Sequence, residues 1–270
     1  MHPFVVCSAN LRNANAADGP DAWEHRAAGF AALLQRLDPD IIGVQECMDT
    51  QYQCLGETFP RHTVQTGLPY GNHAPYEYCA FGWRSQRFSL RKSGGFHLSL
   101  TPYVPSRSWD TSWMRVAHWV ILTHRPTGQD ICVCNTHLDH LGAVSRRESI
   151  EVITTQLAPF AHLPTIVMGD FNTPPDGDVH ARARAAGFVD SWHAAGHRDG
   201  KGVLTFHGFR GSAWPQLSGE RDDARIDWML LRDPTLRVRV TAAHILTSTM
   251  DGGRFPSDHY PVVTQYQFMP

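Results

Sequence analysis

The sequence predicts a mixed α/β protein in which two β-sheets pack together and helices flank them. Short segments rich in β-branched and aromatic residues recur along the 270 residues, and helical segments separate only some of them. This uneven alternation indicates hairpins mixed with crossovers rather than a regular parallel sheet. No internal repeat, low-complexity tract or long linker divides the chain. We therefore expect one catalytic domain over residues 1–270, since large sandwich folds reach this length.

Eight segments have the composition of β-strands and are bounded by turn-forming residues. They are Phe4–Ser8, Ile41–Gln45, Glu77–Trp83, His118–Thr123, Asp130–Thr136, Thr165–Gly169, Arg225–Leu231 and Pro261–Gln267.

Apolar side chains recur at helical spacing in Asp21–Leu37 and Ser145–Leu157, and His180–Ala186 is a shorter candidate helix. The stretches 85–115 and 193–222 show no periodicity and are predicted to be long loops. Loops of that length in a compact domain usually carry function.

Composition restricts the class of protein. The chain is 42% hydrophobic and 19% charged, which is ordinary for a globular protein, and it contains no apolar run long enough to span a bilayer. The first residues enter a strand-like segment without a signal-peptide pattern, so we expect a cytoplasmic protein, with a secreted form as the alternative if a signal peptide has been removed. The six cysteines are scattered and are expected to be free thiols, which fits a reducing compartment.

The charge balance bears on the substrate. The formal net charge is -2 and only Lys92 and Lys201 are lysines. Tight, sequence-independent binding of duplex DNA depends mainly on basic side chains that neutralise phosphates. The balance therefore favours a small or membrane-borne substrate over long duplex DNA.

Polar residues lie at the ends of several predicted strands. The segments are Gln45-Glu46, Asn135-Thr136-His137, Gly169-Asp170-Phe171-Asn172, Ile226-Asp227 and Ser257-Asp258-His259. Each alone could be a turn cap, but a carboxylate beside a buried strand end is costly unless it is paired or binds a metal. Together these segments predict one rim to which the strands deliver Asn, Glu, His and Asp side chains.

The residue types at this rim restrict the metal. Asn and carboxylate oxygens suit Mg²⁺, Mn²⁺ or Ca²⁺ rather than a Cys/His zinc site. Mg²⁺ commonly binds one or two carboxylates, keeps several waters and contacts substrate phosphate. The histidines would then serve as proton donors or as hydrogen-bond partners of phosphoryl oxygens.

These segments resemble, in chain order, the motifs of the endonuclease/exonuclease/phosphatase superfamily, which includes deoxyribonuclease I-like nucleases, sphingomyelinases and inositol polyphosphate 5-phosphatases. The matching segments are Ser8-Ala9-Asn10-Leu11-Arg12, Gln45-Glu46, Asn135-Thr136-His137-Leu138-Asp139-His140, Gly169-Asp170-Phe171-Asn172, Arg225-Ile226-Asp227 and Ser257-Asp258-His259. The resemblance extends from residue 4 to residue 263. It implies a four-layer α/β/β/α sandwich of two mixed sheets, with the site at one rim.

The resemblance also implies roles for the metal-side residues. Glu46 would be the principal metal ligand, helped by Asn10 and by Asp258. Asp170 would orient or deprotonate the attacking water, and Asn172 would contact a phosphoryl oxygen.

It further implies roles for the histidines. His259 would hydrogen-bond the phosphate and stabilise charge in the transition state, while Asp227 fixes the tautomer of His259. His137 would bind the phosphate or assist the leaving oxygen.

A narrower resemblance concerns a compact bacterial subgroup that usually reads FWLSETP, then GWD and an Arg. Gly95–Pro102, Ser108-Trp109-Asp110 and Arg115 match it, with His97 in place of the Trp and Leu100 in place of the Glu. These departures are expected to lie at the substrate mouth.

Three further residues are candidates for substrate binding. Arg115 and Arg146 could each bind phosphate, because a guanidinium pairs with it in a bidentate manner. His140 could shape the pocket or support His137. The loop aromatics could either stack on a base or sugar or pack against the core; they are Trp109, Trp113, His97, His207 and Trp214.

We therefore expect a Mg²⁺- or Mn²⁺-dependent phosphoric ester hydrolase acting on a small phosphorylated metabolite, a nucleotide or a lipid headgroup. A nuclease acting on DNA or RNA remains an alternative. A catalytically silent binding module on the same fold would have lost Glu46, Asp170 or His259, and all three are present. The sequence implies no protein partner.

Overall fold

The computed structural model describes residues 2–218 and 224–269 and contains two mixed β-sheets. The strands are β1 (His2–Asn10), β2 (Ile41–Cys47), β3 (His62–Gln65), β4 (Pro69–Tyr70), β5 (Glu77–Arg84), β6 (Phe88–His97), β7 (Val116–His124), β8 (Gln129–His137), β9 (Thr165–Asp170), β10 (Val189–Asp190), β11 (Asp227–Arg232), β12 (Val238–Ile245) and β13 (Val262–Phe268). The helices are α1 (Trp23–Leu37), α2 (Asp49–Thr58), α3 (Ala143–Gln156), α4 (Asp178–Ala185), α5 (Ser191–Ala194) and α6 (Trp214–Ser218). Short 3₁₀ turns occupy Gly19–Asp21, Ala158–Phe160, Gly211–Ala213 and Asp251–Gly253.

The topology of the sheets brings selected strand ends together. The first sheet has the order β12-β13-β1-β2-β5-β3, with β4 paired to β5, and the second has the order β10-β11-β9-β8-β7-β6. β1 and β2 are parallel and are connected through α1, and β8 and β9 are parallel and are connected through α3. Parallel strands joined by a crossover helix end at the same edge of their sheet.

Three apolar clusters fix the layers. The first joins the facing surfaces of the two sheets, where Phe4 and Trp83 meet Val133 and Met168. The second cluster packs α3 and α4 on the outer face of the second sheet, and the third packs α1 and α2 on the outer face of the first. This arrangement confirms the four-layer α/β/β/α sandwich.

Buried polar side chains hold the two sheets in register beside the polar strand ends. Asn135 Nδ2 donates to the carbonyl oxygens of Val44 at 2.9 Å and Ala80 at 3.0 Å. Gln45 Nε2 donates to Asn135 Oδ1 at 2.6 Å. Hydrogen bonds between buried groups specify one arrangement, because a shifted register would leave these groups unpaired.

The prediction of a loop over 85–115 is wrong in its first part, where the structure has strand β6. This strand lies at a sheet edge and contains Arg91-Lys92-Ser93-Gly94-Gly95, so its sequence lacks the apolar alternation of a half-buried strand. The sequence also failed to indicate α2, whose Gln and Thr residues give a weak apolar face. Of the loop predicted over 193–222, the part from 219 onward lies outside the described residues.

Two other findings bear on the composition. All six cysteines are free thiols, as expected. Within the described ranges, none of the helices has the length and apolar character needed to cross a membrane.

Buried histidines predict a loss of stability in acid. Burial lowers the pKa of His118 to about 4, although its hydrogen bond to the Cys79 carbonyl opposes the shift. In the unfolded chain this imidazole titrates near about 6.5. The unfolded state therefore binds more protons between those values, so the free energy of unfolding falls as pH falls, by up to about 1.4 kcal/mol per pH unit from this residue.

Urea unfolding at pH 7, 6 and 5 tests this expectation. We expect His118→Asn, which keeps a donor for Cys79, to show a weaker pH dependence than the unmodified protein. Equal slopes for the two proteins would contradict it.

Candidate active site

Asp170 lies at the centre of the polar strand ends. In the sheet, it is paired with His137 on one neighbouring strand and with Asp227 on the other. Paired residues on adjacent strands project from the same face, so the three side chains lie close together. Gly169 is required just before Asp170, because its φ is +146° and a Cβ there would lie 1.9 Å from the Thr136 carbonyl oxygen.

Glu46 reaches the site through an irregularity in β2. The register of β2 against β5 shifts between Val44 and Cys47, and Glu46 adopts a φ of +54°. A bulge of this kind redirects a side chain out of the regular strand pattern. The carboxylate accepts from Asn10 Nδ2 at 3.0 Å and from the backbone N–H of Asn13 at 2.8 Å.

The Asp170 carboxylate is surrounded by donors. Oδ1 accepts from the backbone N–H of Asn172 at 2.8 Å, and Oδ2 accepts from Asn10 Nδ2 at 3.1 Å. The Nε2 atoms of His137 and His259 lie 3.4 Å and 3.7 Å from Oδ2. Burial raises the pKa of Asp170 to about 7, the charge of Asp227 adds to this rise, and His259 opposes it.

His259 and Asp227 form a buried pair. His259 Nδ1 lies 2.9 Å from Asp227 Oδ2. Burial lowers the pKa of His259, but the charges of Asp227 and Asp170 outweigh that effect and raise it to about 10. The ring is therefore an imidazolium near neutral pH, with a donor at both nitrogens.

His137 is held in the neutral form. Burial lowers its pKa well below the ordinary value, and the nearby charges of Arg115 and His259 lower it further. Its Nδ1 lies 3.1 Å from the Tyr70 hydroxyl, which also accepts from the backbone N–H of Glu46 at 2.9 Å. Tyr70 thus connects His137 to the Glu46 backbone, and no sequence signal indicated this role.

Asn172 and Asp258 complete the predicted set. Asn172 adopts a φ of +51°, which asparagine tolerates, and its Nδ2 donates to the Leu138 carbonyl at 2.9 Å. Burial raises the pKa of Asp258, with His259 opposing and Glu46 adding to the rise. Arg12 Nε lies 3.7 Å from Asp258 Oδ2.

A cavity of about 650 Å³ opens over these residues, which is the size of a small-molecule site. The predicted residues on its wall are Glu46, Arg115, His137, His140, Asp170, Asn172, Asp258 and His259. Asn10 and Asp227 support this wall from behind through Glu46 and His259. The wall also includes Arg12 and Glu77, whose roles the sequence did not indicate.

Other expectations about the cavity are corrected by its lining. Arg146 is not on the wall; its Nη1 donates to the Asp139 carbonyl at 2.8 Å. His97 and Leu100 do not line the cavity either, although we expected them at the substrate mouth. Of the loop aromatics considered, Trp113 is on the wall, where it contacts His73 edge-to-face.

The cavity wall fits a divalent cation. The carboxylates of Glu46, Glu77, Asp170 and Asp258 line it, and burial raises the pKa of Glu77 as well, with Glu46 adding to that rise. A cluster of carboxylate oxygens is the environment that a bound divalent ion stabilises. Ligand atoms of Asp170, Asp227 and His259 also converge within 4.8 Å, but a protonated His259 offers no lone pair to a metal.

Asn10 presents its amide nitrogen to this cluster. Its Oδ1 accepts from the backbone N–H of Arg12 at 2.9 Å, so Nδ2 is the atom directed at Glu46 and Asp170. In this orientation Asn10 positions the two carboxylates, and direct ligation would require the opposite orientation of the amide.

Comparisons with known proteins identify the family and the fold of the chain. Residues 7–259 match the sequence profile of the Endonuclease/Exonuclease/phosphatase family. The solved structure of a protein of that family from Bacteroides thetaiotaomicron is 29% identical, with a TM-score of 0.88 and coverage of 100% of this chain and 99% of that one. A mannosyl-6-phosphatase from the same organism is also 29% identical, with a TM-score of 0.85 and coverage of 98% and 100%.

A curated relative is more distant. Nocturnin from Xenopus laevis is 23% identical over 272 residues, covering 91% of this chain and 65% of Nocturnin. The chain therefore spans less than two thirds of the length of that relative.

Proposed function

Because the chain belongs to the endonuclease/exonuclease/phosphatase family, whose members hydrolyse phosphoric esters, we propose that it is a Mg²⁺- or Mn²⁺-dependent phosphoesterase acting on a small phosphorylated molecule. The observation that carries the proposal is the convergence of Asp170, His137 and His259 beside Glu46 in one cavity.

Asp170 acts as the general base. A carboxylate whose pKa is raised to about 7 is ionised in a useful fraction near neutral pH and binds a proton more strongly than an ordinary carboxylate. The backbone N–H of Asn172 and the amide of Asn10 hold its oxygens in place, so that a water in the cavity meets a fixed acceptor. Proton transfer to a positioned base of this kind typically contributes about 10²- to 10⁴-fold to rate.

His259 stabilises negative charge on the phosphoryl oxygens. Asp227 fixes the proton on Nδ1, which leaves the Nε2–H free to donate toward the cavity. His137 is neutral, and its Nε2 lies 3.4 Å from Asp170 Oδ2 on the cavity wall, where an N–H at this atom can hydrogen-bond the leaving oxygen. Asn172 contributes a second neutral polar group on the same wall.

Glu46 and Asp258 would hold the metal, with Asn10 positioning Glu46. When bound, a divalent ion of this type polarises a phosphoryl oxygen and offsets the charge of the transition state. The oxygen donors favour Mg²⁺ or Mn²⁺, and Ca²⁺ fits the same ligands.

The size and charge of the cavity favour a small substrate. Its volume of about 650 Å³ matches a single metabolite, and Trp113 contributes an aromatic side chain to the wall. The similarity to a mannosyl-6-phosphatase makes phosphorylated sugars the first compounds to test. A nuclease acting on short DNA or RNA ends is the second candidate, because Arg115 on the wall could bind a backbone phosphate.

A substrate panel tests the proposal. We expect the purified protein with Mg²⁺ or Mn²⁺ to hydrolyse sugar phosphates, nucleotides or phosphorylated headgroups faster than single-stranded or duplex oligonucleotides. Faster cleavage of oligonucleotides would favour the nuclease over the phosphoesterase that acts on a small molecule. Binding of these compounds with no hydrolysis of any of them would indicate a silent binding module.

A further inference from the structure

Among the described residues, the buried arginines differ in the ion pairs and hydrogen bonds that their guanidinium groups form. Arg225 forms ion pairs with Asp190 at 2.7 Å and Asp199 at 2.6 Å. The guanidinium of Arg26 donates to four backbone carbonyls, those of Asp21, Leu11, Pro256 and Arg12. Arg225 and Arg26 therefore each have a structural role that explains their burial.

Arg115 has no comparable set of partners. It is 6% exposed, and its Nε is buried without a hydrogen-bond partner among the described residues. Its Nη2 lies 3.3 Å from His140 Nδ1, and its closest carboxylate oxygen within ion-pair range, Asp139 Oδ2, lies 3.9 Å from Nε. Burial of a cation with so few acceptors is costly unless an anion joins it.

Asp139 does not supply the missing acceptor. Its two carboxylate oxygens accept from the backbone N–H groups of Ser112, Trp113, Leu141 and Gly142, and from the Ser112 hydroxyl. These bonds fix the loops on both sides of the cavity mouth and occupy the lone pairs of the carboxylate. Among the described residues, Arg115 is therefore left without a carboxylate at hydrogen-bonding distance.

Arg115 lies on the His137 side of the active-site cavity. It is part of the cavity wall, and its guanidinium carbon lies 5.7 Å from the centre of the Tyr70 ring. The Tyr70 hydroxyl in turn contacts His137 Nδ1 at 3.1 Å. A group bound at His137 is thus within the region that Arg115 can reach.

We infer that Arg115, assisted by His140, forms a subsite for the second negative charge of a terminal phosphoryl group, so that the protein selects phosphomonoesters over phosphodiesters. The inference rests on the proposed function of this cavity. A terminal phosphoryl group carries about 1.5 to 2 negative charges and three equivalent oxygens at pH 7, whereas a diester carries one charge and two such oxygens. On an acidic cavity wall, the second negative charge of the phosphoryl group requires an additional cation. Arg12 is already paired with Asp18, so Arg115 is the arginine of the wall that can supply it.

The test compares two esters with the same leaving group, p-nitrophenyl phosphate and methyl p-nitrophenyl phosphate, which differ by one charge. We expect the unmodified protein to prefer the monoester. In Arg115→Met we expect kcat/KM for the monoester to fall about 100-fold, the loss typical of one donor to transition-state charge, while that for the diester changes less than about threefold. Arg107→Met, at an exposed position outside the cavity wall, is the matched control and should leave both values unchanged.

A binding measurement separates this subsite from a structural role. Inorganic phosphate is expected to raise the melting temperature of the unmodified protein and of Arg107→Met, but not that of Arg115→Met; Arg115→Gln replaces the latter if it does not fold. Equal losses on both esters, a preference of the unmodified protein for the diester, or an undiminished phosphate effect in the variant would overturn the inference. If the unmodified protein hydrolysed neither ester, the proposed function would fail, and the phosphate measurement would still decide whether Arg115 binds the anion.

Discussion

Asp170→Asn is expected to lower the turnover of p-nitrophenyl phosphate by about 10²- to 10⁴-fold, since it removes the proton acceptor for the attacking water. The substitution keeps the size of the side chain and leaves an oxygen that can still accept from the backbone N–H of Asn172. Burial already disfavours the charge of Asp170, raising its pKa to about 7, so loss of the charge itself costs little stability, and the cost to the fold comes from the lost acceptor of Asn10 Nδ2. Steady-state kinetics with Mg²⁺, combined with a thermal melt, measure both effects.

The control for this variant is Asp178→Asn, which makes the same change at an exposed position at the start of α4. It should retain the activity of the unmodified protein. If Asp170→Asn kept more than about a tenth of the turnover, proton transfer by Asp170 would not be a main source of the rate.

His259→Ala is expected to lower turnover by about 10²- to 10³-fold, because it removes the cationic donor that faces the phosphoryl oxygens. Asp227→Asn should reproduce part of this loss, since the asparagine removes the largest of the charges that raise the pKa of His259. His25→Ala, which changes an exposed histidine of α1, is the matched control and should retain the turnover of the unmodified protein.

The pH dependence of kcat distinguishes the electrostatic role of Asp227, which acts on His259, from a purely structural role. Burial lowers the pKa of His259, and the charges of Asp227 and Asp170 outweigh burial and raise it to about 10, so the active, protonated form persists across neutral pH. Removal of the Asp227 charge lowers that pKa. The alkaline decline in kcat is therefore expected at lower pH in Asp227→Asn than in the unmodified protein. Superimposable profiles would show that Asp227 does not act through the charge of His259.

Much of the site could be predicted from the sequence because its residues follow strands with strong apolar signals. Glu46, His137 and Asp170 each come at or near the end of a strand that is buried along most of its length. The parallel pairing of β1 with β2 and of β8 with β9 then brings the strand ends to one rim. The strand ends are therefore visible in the local sequence, whereas the parallel pairing that brings them together is supplied by the fold.

Features that depend on tertiary contacts could not be predicted in the same way. Tyr70 contributes through its hydroxyl from the two-residue strand β4, and nothing near it in the sequence marks that role. Arg115 and Arg146 are equivalent by chemistry, and only the fold directs one to the cavity and the other to the Asp139 carbonyl. The edge strand β6 lacks a strand signal because its middle contains Arg91, Lys92, Gly94 and Gly95 in place of an apolar pattern.

The central claim is that Glu46 and its neighbours use a divalent ion to hydrolyse a phosphoric ester. The most direct test is the rate of p-nitrophenyl phosphate hydrolysis as a function of Mg²⁺ concentration, measured for the unmodified protein, for Glu46→Gln and for the exposed control Glu24→Gln. We predict that EDTA reduces the hydrolysis rate of all three proteins to background. The unmodified protein and Glu24→Gln should share one Mg²⁺ dependence. Glu46→Gln should need at least about tenfold more Mg²⁺ or lose activity altogether. Activity that resists EDTA, or a Glu46→Gln variant with an unchanged Mg²⁺ dependence, would contradict the claim.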